Sequence, residues 1–506
     1  MSESEKSAQV AGEAPKLDDA YDTYVFAKTP FEALSQHLSF GGGVFSASRN
    51  TPCRIAQAED RQLLVAGFCV DAHGEVAWQA LANYLALNAP TFDALIKLND
   101  RLAGRYLLLY EQKGELRLLG DATSSLGIYY SRRAGEGCFA STDYLVGEAC
   151  GYPVSEDRRR LHLAGQKDHP LPGTLTYFED VSCLVPNHFL WVREGRAERH
   201  PIAPIAPQSV DCAAQKLYAL LACITRQYGS ESDFACPLTG GADSRLVLAF
   251  FREAMENPPC FTYQRKGQAQ DVPDIAVAKR LAEKLGMTHR VLAFEQAPLA
   301  YDAYLCRYLG DAYGRGQANW AYMFKKAFPG KAIYGGGIID QIGKAGFIGK
   351  RLPECCATKR MMCARSNMYA QAGRQETRAF CEEMGESGLS LFDQYTWEWY
   401  CARWGNMHAT VYALLSVNQF NIFNCREVIC QMMSVNRKAR AQKKLHFALY
   451  ERFDPALRSI PINPAGRREQ LARRVIGSGL YQYFGVYLGY WARARANKRG
   501  GSAKRA

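Results

Sequence analysis

The hydrophobic positions of this chain follow two different patterns, and the change between them falls near residue 205. In the first half, apolar runs of strand length alternate with short turns, and the segment 78–88 has the period of a helix. The strands predicted from these runs cover residues 62–71, 105–110, 115–120 and 127–131. A proline-bearing stretch then separates this strand-rich half from the rest of the chain.

The second half alternates helical segments with short apolar strands. The elements predicted there are a helix over 211–228, strands at 233–236 and 260–263, a helix over 274–286 and a strand at 288–292. Amphipathic helices between single apolar strands are typical of a parallel α/β sheet. Open sheets of this type bind ligands at the carboxyl ends of their strands. The turn that follows residue 236 is therefore the first place to look for chemistry.

Length and composition describe an ordinary globular chain. Its 506 residues suffice for two or three domains, with 48% hydrophobic and 22% charged residues. No apolar run is long enough to cross a membrane, and the polar, acidic residues 1–20 lack the features of a signal peptide. We therefore expect a disordered leader over 1–20, a cytoplasmic protein, and seventeen cysteines in the reduced state.

The formal net charge of +12 is concentrated at the carboxyl end. Residues 491–506 hold six Lys or Arg and no acidic residue, which is half of the excess. A basic tail of this kind can contact nucleic acid or an acidic peptide, but a solvated, disordered end is the more common outcome. We predict the solvated tail and do not expect nucleic acid as a partner.

The turn after the strand at 233–236 carries the most specific chemistry of the chain. It reads Pro-Leu-Thr-Gly-Gly-Ala-Asp-Ser-Arg from 237 to 245 and leads directly into a helix. Two adjacent glycines let the backbone approach a phosphate, and the start of the helix offers free N–H groups to an anion. Asp243 would repel that anion unless a divalent metal lay between them. The segment therefore predicts a site for ATP with a metal ion.

This turn resembles the pyrophosphatase loop, S-G-G-x-D-S, of the asparagine synthetase-like ATP pyrophosphatases, with a threonine in place of the first serine. Enzymes of that superfamily cleave ATP between the α and β phosphates, adenylate an acceptor and release pyrophosphate. The resemblance implies an ATP site built from the loop, a strand end and a second glycine turn. The residues that we assign to ATP are Leu238, Thr239, Gly240, Gly241, Asp243, Ser244, Arg245, Tyr263, Gly335 and Gly336.

The second glycine turn, residues 333–341, resembles the superfamily motif G-x-G-x-D-E, whose Asp holds magnesium on the pyrophosphate. The resemblance implies that Asp243 and Asp340 are catalytic as ligands of Mg²⁺, which offsets the charge that develops on the leaving group. Two positions depart from the motif. Gly337 stands where asparagine synthetases carry Glu, and Gln341 replaces the following Glu. The usual base for an amine nucleophile is therefore missing from its place.

Three further polar residues are candidates for the site. Glu398, in the aromatic segment 397–404, is a candidate catalytic base, and core packing is the alternative role for that segment. Lys443 matches the superfamily's Lys-x-x-Leu-Arg region and could stabilise pyrophosphate or an acyl-adenylate, although a solvated lysine is the alternative. Asp274 could contact ribose or metal, or be an ordinary acid at a helix start. The segment 421–433 resembles a late helix on the acceptor side.

The first half resembles the glutamine amidotransferase-like domain that precedes the synthetase domain in this superfamily. The resemblance rests on a strand, an Asp-containing turn with Ser124 in place of the usual glycine, and a Tyr-Tyr strand. It implies an Ntn-hydrolase-like αββα sandwich over 21–207. An active domain begins with an N-terminal cysteine, whereas residue 2 is Ser2. Neither Cys53 nor Cys69 has a free α-amine, so we predict a scaffold without glutaminase activity.

The resemblance thus implies an α/β plus α+β protein whose second domain, 208–490, is a doubly wound parallel-sheet ATP pyrophosphatase. It implies an AMP-forming ligase that adenylates a small-molecule or peptide carboxylate and joins it to ammonia or a substrate amine. β-Lactam synthetases and lasso peptide cyclases of the superfamily use a substrate amine, and amidation of a sugar acid for a polysaccharide also fits. A homodimer is left open, and no membrane partner is expected.

Two alternatives stay open at this point. The loop, the basic tail and the many cysteines also suggest an enzyme that thiolates transfer RNA, although the amidotransferase-like first half and the lack of a C-x-x-C pair speak against it. The glycine at position 337 also permits a non-catalytic homologue that binds ATP without using it.

Overall fold

Two antiparallel sheets and one parallel sheet form the framework of the chain. The computed structural model describes residues 15–164, 171–267, 272–313, 315–345, 352–365, 371–384, 389–453 and 455–462, with scattered positions from 471 to 491. Residues 1–14 of the predicted leader and 492–506 of the predicted tail lie outside the described residues. The fold begins before residue 21, because Leu17 and Ala20 are already buried.

The first half is built mainly from strands. They are β1 (Tyr24–Ala27), β2 (Gln36–Phe40), β3 (Gly43–Ala47), β4 (Cys53–Ala58), β5 (Arg61–Asp71), β6 (Leu102–Gln112), β7 (Glu115–Gly120), β8 (Tyr129–Ser131), β9 (Phe139–Ala140), β10 (Val181–Cys183), β11 (His188–Trp191) and β12 (Arg196–Arg199). Its α-helices are α1 (Trp78–Asn88), α2 (Phe92–Asn99), α3 (Asp143–Cys150) and α4 (Glu156–Ala164).

These strands form two antiparallel sheets that pack face to face. The strand orders are β10-β8-β9-β1-β3-β2 and β12-β11-β7-β6-β5-β4. Their facing sides share one apolar layer, in which Tyr24 and Phe45 of one sheet meet Leu64 and Leu107 of the other. Helix α1 packs on the outer face of the second sheet and α3 on that of the first. The αββα sandwich predicted from the resemblance is thereby confirmed.

The second half alternates strands and helices. Its strands are β13 (Phe234–Pro237), β14 (Cys260–Tyr263), β15 (His289–Leu292), β16 (Ala332–Tyr334) and β17 (Gln419–Phe420). Its α-helices are α5 (Val210–Glu231), α6 (Ala242–Ala254), α7 (Pro273–Lys284), α8 (Leu299–Leu309), α9 (Arg315–Ala327), α10 (Gly337–Gln341), α11 (Lys359–Arg365), α12 (Gln371–Glu383), α13 (Leu391–Tyr395), α14 (Asn406–Leu414), α15 (Arg426–Met433), α16 (Arg437–Ala441), α17 (Lys444–Tyr450) and α18 (Ala456–Ser459). A π-helix, Thr396–Gly405, joins α13 to α14.

The five strands of this half form one parallel sheet with the order β15-β14-β13-β16-β17. Successive side chains of β13 point to opposite faces. Phe234 and Cys236 lie in the core formed with α5, α6 and α7, whereas Ala235 lies in the core formed with α8, α9 and α14. Helices therefore cover both faces, and the doubly wound sheet is confirmed.

The two halves share a continuous apolar core. Phe68 of β5 contacts Tyr228 of α5 and Phe420 of β17, with ring centroids 5.5 Å and 5.4 Å apart. Asn424 adds polar contacts, because its side-chain amide donates to Asp121 Oδ1 at 2.9 Å and its backbone C=O accepts from Gly104 at 3.0 Å. The sandwich therefore packs directly against β17, the edge strand of the parallel sheet, and against the segment that follows this strand.

The turn around Asp121 contains Ser124, which stands where the family motif usually has glycine. Both carboxylate oxygens of Asp121 accept backbone N–H groups, from Ser125 at 2.9 Å and from Leu126 at 2.8 Å. Ser124 directly precedes these two partners and has a φ of 50°. Glycine adopts this left-handed conformation without strain, whereas serine adopts it at a modest cost.

Two global features complete the fold. Among the described helices, none is long and apolar enough to cross a membrane. All seventeen cysteines lie in the described part of the chain, and each is a free thiol.

Candidate active site

The two glycine turns meet because of the order of the strands. The chain runs from β13 outward to β15 and then returns to β16, which pairs with β13 on its other side. This is the switch point at which open α/β sheets bind their ligands. The turns after β13 and β16 consequently lie side by side. A Cβ atom added to Gly336 would come to 3.5 Å from Cβ of Asp243, so the second turn packs directly against the first.

The first turn is closed by its own hydroxyl groups. Oγ of Ser244 accepts the backbone N–H of Thr239 at 3.1 Å and lies 2.9 Å from the Thr239 hydroxyl. That hydroxyl accepts the N–H of Gly241 at 3.1 Å. The N–H of Gly240 donates to Oδ1 of Asp274 at 2.5 Å. Asp274 therefore supports the turn from the start of α7.

Buried side chains hold the turn from below. Leu238 is fully buried, and its backbone N–H donates to the C=O of Phe261 at 2.7 Å. The guanidinium of Arg245 is also fully buried and donates to the C=O groups of Gly240 at 3.1 Å and Ile460 at 2.7 Å. The side chain of Arg245 thus ties the turn to the segment after α18. Tyr450 donates to the C=O of Ala242, the first residue of α6.

Lys344 joins the two aspartates that the sequence assigns to metal binding. Its ammonium lies 2.6 Å from Oδ2 of Asp243 and also pairs with Oδ1 of Asp340, four residues earlier. The other oxygen of Asp243 accepts from Nε2 of His446 at 3.0 Å. The other oxygen of Asp340 accepts from the side-chain amide of Gln341 at 2.6 Å. The carboxylates of Asp243 and Asp340 thus share the ammonium group of Lys344 as their common ion-pair partner.

The charges of this cluster follow from its burial and its contacts. Burial alone would raise the pKa of Asp243, but the hydrogen bond from His446 and the charge of Lys344 outweigh it and lower the pKa to about 2. Burial lowers the pKa of His446, and the charges of Lys344 and Lys443 act in the same direction. Burial also opposes the charge of Lys344, yet the two aspartates raise its pKa. The cluster therefore holds two anions, one cation and a neutral imidazole.

Asp243 and Asp340 fit a magnesium–nucleotide complex. Mg²⁺ prefers oxygen ligands and is usually held by one or two carboxylates together with phosphate oxygens and water. The two aspartates supply carboxylates that already share one cation. Among the described residues, no group of three or more His, Cys, Asp or Glu could hold a metal by itself. A metal at this position would therefore depend on the phosphates for its remaining ligands.

The other candidates lie in different surroundings. Lys443 is the residue before α17, with a φ of 61°, and is half-buried one turn from His446. Tyr263, at the end of β14, stacks on Trp320 with centroids 5.8 Å apart. Glu398 is fully buried between the two halves of the chain. Its oxygens accept two hydrogen bonds from Arg199, at 2.8 Å and 2.7 Å.

The sequence did not point to Lys344 or His446. Lys344 has one local signal, because a base four residues after Asp340 can pair with it on a helix. His446 has none, since it sits among apolar positions of α17 and reaches Asp243 only through the fold.

A cavity of about 230 Å³ lies beside the second glycine turn, between the two halves of the chain. Gly335, Gly337 and Gln341 line it from the turn and α10, and Arg105 and Ser125 line it from the sandwich. Gly336 therefore packs against Asp243, and its neighbours Gly335 and Gly337 line the cavity.

Cys53 and Cys69, the two cysteines considered as substitutes for the missing nucleophile, lie in surroundings that disfavour a thiolate. Burial raises the pKa of Cys53 to about 12 and that of Cys69 well above its usual range. A thiol becomes a nucleophile when its pKa is lowered, so neither environment favours attack on glutamine.

Comparison with known proteins places the loop in a family. Residues 217–327 match the family model described as asparagine synthase, and this segment contains the first glycine turn. Curated proteins give no match. Among solved structures, a glutamine-dependent NAD+ synthetase from Acinetobacter baumannii, in complex with ADP, has 15% identity and a TM-score of 0.20, with 38% of this chain and 43% of that chain covered. The present chain thus spans less than half of that synthetase.

An NMN synthetase from Francisella tularensis has 13% identity and a TM-score of 0.20, with 51% of this chain and 100% of that chain covered. Likenesses at these TM-scores say nothing about a substrate. The family match falls on the segment that holds the switch-point loop of the parallel sheet, so this part of the chain is similar to asparagine synthase.

Proposed function

We propose that the protein is an ATP-dependent, AMP-forming ligase that activates a carboxylate and joins it to an amine. One observation carries this proposal: Asp243 and Asp340 meet around one cationic group at the carboxyl ends of two neighbouring parallel strands. Cleavage of ATP to pyrophosphate requires cations held against the leaving group, and paired carboxylates are the groups that hold them. The match of the loop to the asparagine synthase family supports the same chemistry.

In the first step, a carboxylate oxygen of the substrate attacks the α-phosphorus of ATP, and the bond from that phosphorus to the bridging oxygen breaks. Thr239 and Ser244 bring two hydroxyls to the turn that faces the phosphates, and Gly240 and Gly241 let its backbone come close to them. Asp243 and Asp340 would hold Mg²⁺, which supplies positive charge against the departing pyrophosphate. Lys344 adds a permanent positive charge at the same place.

In the second step, the amine nitrogen attacks the acyl carbon, the new C–N bond forms, and the bond from that carbon to AMP breaks. One proton of the amine passes to water. The nitrogen comes from ammonia or from an amine substrate, because neither Cys53 nor Cys69 is an activated thiol for glutamine hydrolysis. Such a reaction would serve the synthesis of a natural product, a peptide or a polysaccharide.

The test is the release of pyrophosphate and AMP over a panel of carboxylate and peptide substrates, each with ammonia or an amine. We expect AMP rather than ADP as the nucleotide product. Asp243→Asn should abolish release without unfolding the protein, because the change keeps the size of the side chain and removes the charge. Asp233→Asn is the matched control, since Asp233 lies at the opposite end of β13 and pairs with Lys331 on the surface.

Each other outcome of this experiment would support a different interpretation of the protein. ATP binding without pyrophosphate release on any substrate would contradict the ligase and favour a non-catalytic homologue. Release that requires transfer RNA would favour the thiolating enzymes. Full activity of Asp243→Asn would show that the metal assignment is wrong.

A further inference from the structure

The cavity beside the second glycine turn has polar groups that need a ligand. Oε1 of Gln341 is buried and has no hydrogen-bond partner, and Gln341 lines a space large enough for a small molecule. The orientation of this amide is fixed, because its nitrogen donates to Oδ2 of Asp340 at 2.6 Å. Oε1 of Gln419, which also lines the cavity, is likewise buried without a partner. Buried acceptors left unpaired are costly, so both favour a ligand that donates hydrogen bonds.

The charge around the cavity favours the same kind of ligand. The negative charge of Asp340 acts on the cavity wall, where it adds to the effect of burial that raises the pKa of Cys401 to about 12. Arg105 is the cation on the opposite wall, but its Nη1 lies 3.2 Å from Asp22 and its Nε donates to the C=O of Ser125 at 3.0 Å. The ion pair with Asp22 balances its charge within the sandwich, although its buried Nη1 makes no hydrogen bond.

A stack of rings forms one wall of the cavity. Tyr400 and Trp404 are parallel to within 15°, with centroids 5.3 Å apart, and His408 follows at 4.0 Å from Trp404. All three line the cavity. Flat aromatic surfaces of this size bind planar or apolar groups through their faces and attract cations as well.

Gly337 leaves this space open. A Cβ atom added to Gly337 would meet nothing within 4 Å, and the residue lines the cavity at the first position of α10. The absence of a side chain at Gly337 thus leaves room for a ligand next to the turn that packs against Asp243.

We propose that this cavity is the amine site of the ligase and that it binds a primary amine with a flat apolar body rather than ammonia. The nitrogen donates to Gln341 Oε1 and Gln419 Oε1, beside the glycine turn that borders Asp243, and the body lies against Tyr400 and Trp404. This inference rests on the proposed function for the role of the amine, whereas the binding itself requires neither ATP nor turnover.

The experiment measures binding of 2-phenylethylamine to the full-length protein by titration calorimetry without nucleotide. Ammonium chloride and phenylacetate are the comparison ligands, since one lacks the apolar body and the other reverses the charge. We expect saturable binding of 2-phenylethylamine alone. Gly337→Leu fills the cavity and should abolish binding, whereas Gly316→Leu, an exposed glycine whose added Cβ would also meet nothing, should leave it unchanged. Gln341→Met should weaken binding about tenfold by removing one acceptor.

The results distinguish this inference from the proposed function. Binding of 2-phenylethylamine in a protein that never releases pyrophosphate would keep the site and overturn the ligase. Pyrophosphate release with ammonia as the nitrogen source, together with no binding of 2-phenylethylamine, would overturn the site and keep the ligase. Equal binding to the wild type and to a folded Gly337→Leu protein would place the amine elsewhere and also overturn the inference.

Discussion

The ammonium of Lys344 lies 2.6 Å from Oδ2 of Asp243, and the same group pairs with Asp340. It joins carboxylates that belong to two separate strand ends and that would otherwise repel each other. We expect Lys344→Met to lower the free energy of unfolding by about 2 kcal/mol in EDTA, because two partly buried anions lose their shared cation. Magnesium should restore more stability to this variant than to the wild type, since the ion replaces the missing charge.

The measurement is urea unfolding with EDTA and with magnesium chloride. Lys331→Met is the control, because Lys331 pairs with the largely exposed Asp233 and should matter little. An equal response of Lys344→Met and wild type to magnesium would contradict the assignment of the two aspartates.

The contact between His446 and Asp243 predicts a shift in acid stability. Asp243 has a pKa of about 2 in the fold against an ordinary value of 3.8. A lowered carboxyl pKa stabilises the fold above 3.8, and this contribution is lost as the pH falls from 3.8 towards 2. His446→Asn should raise the pKa of Asp243 and lower stability at pH 7 by about 1 kcal/mol, through the loss of one charged hydrogen bond. The variant should therefore lose less stability than the wild type between pH 4 and 2.

Unfolding midpoints along this pH range test the prediction. His73→Asn serves as the control, because His73 lies at the surface and pairs with Glu427. Parallel pH curves for His446→Asn and the wild type would count against the contact.

How far the sequence predicts the site depends on how local each contact is. Asp340 and the loop over residues 239–244 can be recognised in the sequence, because the spacing of the motifs indicates their chemistry. The alternation of strands and helices predicts that both turns lie at one edge of the sheet. Lys344 and His446 reach Asp243 only when β16 and α17 take their places in the fold. The roles of Lys344 and His446 depend on tertiary contacts, and the spacing of hydrophobic residues along the sequence does not reveal such contacts.

The same reasoning explains Glu398. Its position in an aromatic segment fits either a base or a core residue, and only the packing of the π-helix against β12 brings it to Arg199. The strands of the first half were predictable because long runs such as β5 and β6 alternate with clear turns, whereas their arrangement as a sandwich was expected only from the family resemblance. The cavity was not predictable, since residues from both halves line it.

Glu398 should matter for stability rather than for catalysis. It is fully buried and makes a two-pronged ion pair with Arg199. Glu398→Gln leaves Arg199 with only Glu383, 2.7 Å from its Nε, as a counter-charge, so we expect a loss of about 3 kcal/mol in the free energy of unfolding. Pyrophosphate release per folded molecule at low temperature should stay within about twofold of the wild type. A folded variant that loses turnover by orders of magnitude would restore Glu398 as the catalytic base.

His200 should make the fold sensitive to mild acid. Burial lowers its pKa to about 2, whereas in the unfolded chain it takes the ordinary value of 6.5. A histidine kept neutral in the fold stabilises it above pH 6.5, and stability falls by about 1.4 kcal/mol per pH unit below that value. His200→Gln should flatten the curve of unfolding free energy between pH 6.5 and 5. His37→Gln, at an exposed position, should leave the curve unchanged.

Gly337→Glu tests whether the glycine at position 337 determines which nitrogen source the enzyme uses. The added side chain has room, because a Cβ at this position meets nothing within 4 Å. Its carboxylate would occupy part of the cavity and stand beside the turn that borders Asp243, where it can take a proton from ammonia. We expect the ratio of ammonia-dependent to 2-phenylethylamine-dependent pyrophosphate release to rise at least about tenfold. Gly337→Gln is the control, since it fills the same space without a base and should suppress the larger amine without a gain for ammonia. If both variants keep the preference of the wild type, the glycine does not determine which amine the enzyme accepts.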